Sequence, residues 1–210
     1  MSALLQAYDR LNVLAEKERD PVKVTSIAPS ATSGQPQLDL AYAVEEISKI
    51  RSAVGKDQFN LLLGEQATVS QVSSCLPTST WLHLVCHGHQ DPEEPLKSCL
   101  FLYNGELELG AILSKKLSEA EFVFLSGCET RMGDANLTNE SMHLAGAMIF
   151  AGFCGAIGTM WGVADFDMPK VANLVYNELF GRGKVPSVTE AANALNVAIQ
   201  TMRKAGLPLH

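Results

Sequence analysis

Apolar residues along the chain fall into short continuous runs separated by helix-periodic stretches. Leu4, Leu5, Tyr8, Leu11, Leu14 and Ala15 recur at the spacing of one helix face, which predicts an amphipathic helix over 2–18. Asp20-Pro21 ends it. Residues 22–28 are apolar and β-branched and predict a first strand, followed by the polar loop PSATSGQPQ at 29–37. Leu40, Val44, Ile47, Ile50 and Arg51 predict a helix over 39–54. A second strand is predicted at 59–63, a helix at 68–75 and a third strand at 81–86. Asn104-Gly105 lies between the short apolar segments 100–103 and 106–109, a strong signal for a two-residue hairpin. A short helix at 110–116, a strand at 122–126, a helix at 139–151 and a strand at 154–160 follow. Helices at 167–180 and 187–204, separated by Gly181-Arg182-Gly183, complete the series.

Strands that are apolar throughout, rather than alternating, are buried on both faces. Interleaved with helices, they predict a mostly parallel sheet covered on both sides, an α/β fold. No internal repeat is visible. A chain of 210 residues reads as one domain over 21–210, with 1–20 as an N-terminal helix and linker. Its apolar content of 47% suits a packed core and opposes a disordered chain.

Sixteen Lys and Arg against 23 Asp and Glu give a net charge of −7. That balance opposes nucleic-acid or anionic-membrane binding and leaves a basic peptide open as a partner. The start is charged and amphipathic and has no apolar signal core, and the apolar stretch 144–161 is broken by glycines. A cytoplasmic location and reduced cysteines are therefore expected. The five cysteines form no CxxC pair, and nothing implies a bound nucleotide or metal as a cofactor.

Ligands of open α/β sheets bind outside the carboxyl ends of the strands. Three places qualify: His87-Gly88, Gly127-Cys128 and the segment from Trp161 to Asp165. A His and a Cys at the ends of two strands can make an activated thiol if those strands are neighbours. The flanking glycines suit close approach of the backbone, and N–H groups of Gly88 and Cys128 can face a developing oxyanion. Plainer readings stand beside this one. A Cys at a strand end is often a small buried hydrophobe. His83 reads as a core residue and Cys86 as packing. His83, His87 and His89 share strand parity, so a metal-dependent hydrolase is a further reading. H-x3-H-x-H, however, matches no standard structural-zinc spacing. A phosphatase loop needs Arg where Asp134 stands, residues 181–184 lack P-loop spacing, and there is no GxSxG elbow.

HLVCHG (83–88), LSGCET (125–130), NESMHLAGAMIFAGF (139–153) and GTMWGVADFD (158–167), together with LKSCLFLYNGELEL (96–109), resemble the CHAT domain. This is a caspase-like cysteine peptidase family related to separase, and the likeness spans about 22–205. The resemblance implies a caspase-like three-layer α/β/α sandwich with a small β-hairpin. It implies His87 and Cys128 as the catalytic dyad and Asp165 in an S1 pocket selecting Arg or Lys. Trp161 would be a wall of that pocket and Asp167 a second acidic candidate. A carboxylate in a partly desolvated pocket suits a guanidinium. Asp165 as a helix N-cap, Trp161 as core and Glu140 as a helix-dipole partner are the plainer alternatives. The family often has Ala where Gly127 stands here. It also adds a last apolar strand, which the pattern before His210 lacks. The first expectation is thus a cysteine endopeptidase acting on a protein or peptide with a basic P1 residue. The alternative is a catalytically silent signalling or interaction module regulated by a repeat-containing region or partner.

Overall fold

The computed structural model describes residues 3–16, 21–29, 42–89, 91, 93–115, 117–127, 140–159, 166–181 and 185–206. Helix α1 is Ala3–Glu16, strand β1 Val24–Ala28, helix α2 Ala43–Val54, strand β2 Phe59–Leu63 and helix α3 Val69–Cys75. Strand β3 is Trp81–Val85, β4 Gly88–His89, β5 Cys99–Leu102 and β6 Gly105–Glu108. Helix α4 (Leu109–Leu113), strand β7 (Phe122–Ser126), helix α5 (Glu140–Ala151), strand β8 (Gly155–Gly158) and helices α6 (Met168–Phe180) and α7 (Ala191–Lys204) follow.

Five strands form one parallel sheet in the order β2-β1-β3-β7-β8. β1, β3 and β7 are buried at every position. That is why their sequences are apolar on both parities: each face is covered by helices. Odd residues of β3 pack towards α2, α6 and α7, where Trp81, Phe122, Ile50, Val175 and Ala194 belong to one cluster. Even residues, Leu82 and Leu84, pack with Val72, Ile112, Leu144 and Met148 of α3, α4 and α5 on the opposite face. The layers are therefore helix, sheet, helix, as the α/β reading requires.

Two helix faces differ from their predicted ones. In α2 the buried stripe is Ala43, Glu46, Ile47, Ile50 and Val54, while Val44 is 64% exposed. Shifting the face by one residue brings a carboxylate into the interior. In α1, Tyr8 faces solvent and Ala7 is buried. The Arg10 guanidinium ties this helix to the body: it donates to Gly152 O, to Ser118 O at 2.7 Å and to Ala120 O at 2.9 Å. These carbonyls lie at the end of α5 and just before β7, so one side chain caps a helix C-terminus and binds the strand's approach.

The predicted hairpin is present as β5 and β6, and it carries a third strand that the pattern did not predict. Gly88 pairs with Leu100 and His89 with Cys99, making the antiparallel sheet β4-β5-β6. Its turn is docked on α3: Asn104 Oδ1 accepts from Val69 N–H at 2.9 Å, and Tyr103 N–H donates to Ala67 O at 3.0 Å.

Candidate active site

The site stands on two adjacent parallel strands. β3 pairs with β7 residue by residue from Trp81↔Phe122 to Val85↔Ser126. His87 is two residues beyond the last pair on one strand, and Gly127 is one residue beyond it on the other. His87 is 7% exposed. Its main chain is held from outside the main sheet, because Phe101 N–H donates to His87 O at 2.9 Å. The hairpin thus continues the hydrogen bonding that β3 loses at its end and fixes the direction of the His87-Gly88 backbone.

Gly88 has no room for a side chain. A Cβ there would stand 3.0 Å from Leu144 Cδ1 and 3.3 Å from Cys99 O, squeezed between α5 and β5. Gly127 needs glycine for a different reason: its φ is +73°, in the left-handed region that other L-residues enter at a cost. Glycine thus suits a left-handed turn immediately before Cys128.

Cys128, Trp161 and Asp165 lie outside the described residues. Asp167 is 6% exposed, and its carboxylate accepts from Lys170 Nζ at 2.9 Å one turn along α6. Lys170 also sits over the Phe166 ring, 5.3 Å from its centroid. Cys86 is fully buried in the cluster facing α3 and α5, as packing.

His83 is a core residue with specific partners. Fully buried on β3, it lies 3.0 Å from Glu46 Oε1 through Nε2 and 3.3 Å from the Tyr176 hydroxyl through Nδ1. Its ring packs on Phe124 at 5.0 Å. Burial, and secondarily the Glu46 carboxylate, push the Tyr176 phenol well above its ordinary value, so it keeps its proton. The arrangement that satisfies every group has Tyr176 O–H donating to Nδ1 and Nε2–H donating to Glu46. Both ring nitrogens of His83 are thereby engaged within the core. His89, by contrast, is an exposed residue of β4.

Above this trio a narrow cleft opens at the carboxyl ends of β3 and β7. Its cavity volume is about 10 Å³, room for a single water, and its lining includes Tyr42, Glu46, Val85, Ser126, Gly127 and Met168. Ser126 is fully buried, and its hydroxyl has no hydrogen-bond partner among the described residues. Sequence reasoning missed Glu46. The available signal was a carboxylate on the same α2 stripe as Ala43, Ile47, Ile50 and Val54, a place where charge is buried only with a partner.

The family model of the CHAT domain matches residues 3–207. The chain belongs to the CHAT domain family. Among solved structures, the Arg specific cysteine proteinase gingipain R is similar to this CHAT domain, with a TM-score of 0.54 and 12% sequence identity. The match covers 97% of this chain and 49% of gingipain R, so the domain spans about half the length of that protein. At this identity the likeness is one of fold: the caspase-like α/β/α sandwich expected from the motifs. No curated protein matches the sequence. Among the described residues, no helix is long and apolar enough to cross a membrane.

Proposed function

We propose that this CHAT domain is a cysteine endopeptidase with His87 and Cys128 as its dyad, cleaving after Arg or Lys. The observation carrying this reading is the pairing of β3 with β7 through Val85↔Ser126. In sequence, His87 and Cys128 each follow that pair by two residues. A thiol and an imidazole brought together at two adjacent strand ends can exchange a proton.

His87 takes the Cys128 proton, and the thiolate attacks the scissile carbonyl carbon. Charge developing on the carbonyl oxygen meets the N–H groups of Gly88 and Cys128. The imidazolium then gives its proton to the departing amine, leaving a thioester. Water, deprotonated by His87, adds to that thioester and releases the acid and the free thiol. Asp165, with Trp161 as a wall and Asp167 nearby in sequence, supplies negative charge for the P1 side chain.

Cleavage of an arginine-containing peptide library tests this reading. Wild type is expected to cut after basic residues, and Cys128→Ala and His87→Ala to lose cutting while keeping a wild-type unfolding transition. Equal turnover by wild type and both variants contradicts the dyad. A folded wild type that cuts nothing supports the silent interaction module instead.

A further inference from the structure

We propose that the recess at the carboxyl ends of β3 and β7 is a binding site for one ordered water, held between the Glu46 carboxylate and the Ser126 hydroxyl. The water joins α2 to the last residue of β7, and the inference stands apart from the peptidase reading.

Size and polarity together select this occupant. The recess has a volume of about 10 Å³, the space of one water and too little for any side chain. A void of that size holds water only where two or more polar groups face it. Glu46, from α2, and Ser126, from β7, both line it.

Both groups have unused capacity. Glu46 is 2% exposed and takes one hydrogen bond, from His83 at 3.0 Å, though an ionised carboxylate accepts about four. Among the described residues no Lys or Arg pairs with it. The Ser126 hydroxyl is fully buried and has no partner among those residues, Glu46 included. Two polar groups that share a recess without bonding to each other are what a bridging water satisfies.

Other small occupants fit less well. The side chains of Ala43, Val85 and Met168 complete the lining and supply no oxygen, whereas a hard cation takes six or more. An anion would meet the Glu46 carboxylate. Water can match both groups: Ser126 O–H donates to it, and it donates to the carboxylate oxygen that His83 leaves free. Tyr42 is the exposed member of the lining, so the second O–H of the water has solvent on that side.

The bridge extends the buried chain Tyr176–His83–Glu46 to Ser126, so that each member has a partner. It also braces the end of β7 from α2, one residue before the left-handed turn at Gly127.

A high-resolution crystal structure of the full chain tests the site, and a double-mutant cycle tests the bridge. The structure is expected to show one water within hydrogen-bond distance of both Glu46 and Ser126 Oγ. An empty recess, density that refines as an ion, or Ser126 Oγ bonded directly to Glu46 overturns the proposal. In the cycle, Ser126→Ala and Glu46→Gln are measured singly and together by denaturant unfolding; Glu46→Gln keeps an oxygen that accepts from His83. Through a shared water, their effects on the unfolding equilibrium constant should depart from additivity by at least about threefold. Additive effects contradict the bridge. If Glu46→Gln does not fold, the wild-type structure alone decides.

Discussion

Phe101 N–H donates to His87 O at 2.9 Å, so the backbone of the proposed base is held by a hairpin outside the main sheet. The consequence for Gly88 is direct. An alanine there pushes on Leu144 of α5, which can give, and on the Cys99 carbonyl of β5, which cannot do so without shifting the hairpin. Gly88→Ala is expected to cost about 1–3 kcal/mol by overpacking. It should also slow labelling of Cys128 by an arginine-directed probe more than tenfold. Denaturant unfolding and labelling kinetics check the two effects, and a variant with wild-type labelling would show that the hairpin does not position His87.

Gly127 makes a second, independent demand. Its φ of +73° costs an L-residue about 1–2 kcal/mol, so Gly127→Ala is expected to lose about that much stability. Equilibrium unfolding measures it. An unchanged midpoint would mean the turn before Cys128 relaxes freely out of the left-handed region.

The buried trio predicts an asymmetry between its members. Tyr176→Phe removes one neutral hydrogen bond to His83 and is expected to cost about 1 kcal/mol. His83→Leu leaves the Glu46 carboxylate buried without its partner, and should cost about 3–5 kcal/mol. In the double variant His83→Leu, Glu46→Leu much of that loss should return, because the stranded charge is gone. Urea midpoints of the three variants test the order.

Cysteine reactivity supplies a pH prediction. Burial, and then the neighbouring Glu106 carboxylate, push the Cys99 thiol up to about 12. Burial raises Cys75 as well. Both stay protonated at neutral pH and should react slowly, and Cys86 and Cys154 are buried, so Cys128 is expected to be alkylated first. The sign for stability follows from linkage: the unfolded chain releases the Cys99 proton near 9, and the folded chain holds it to about 12. The contribution is complete below pH 9 and is lost as pH rises towards 12. Cys99→Ala is expected to flatten the fall in stability over that window, as followed by alkaline unfolding.

β1, β3 and β7 were legible because burial on both faces leaves no polar alternation to misread. The predicted strand ranges 59–63 and 122–126 coincide with β2 and β7. Asn104-Gly105 located the hairpin for a local reason, the turn it prefers. β4 was not legible: two residues, Gly88 and His89, become a strand only because β5 arrives beside them, and no local pattern records that. The α2 face was misread for the opposite reason. Periodicity weights apolar residues, so it chose Val44, whereas tertiary pairing with His83 made Glu46 the interior residue. Of the site, His87 and Cys128 were named from their strand-end positions. The burial of Glu46 could not be, since it depends on α2 meeting His83 of β3.

Active-site labelling tests the central claim most directly. Purified protein is treated with an arginine-directed acyloxymethyl ketone, with an aspartate-directed one, and the same reagents are applied to Cys128→Ala and His87→Ala. The account predicts labelling of Cys128 by the arginine reagent, weak or no labelling by the aspartate reagent, and loss of labelling in both variants. Labelling of another cysteine, or of Cys128 at the same rate with and without His87, would contradict it.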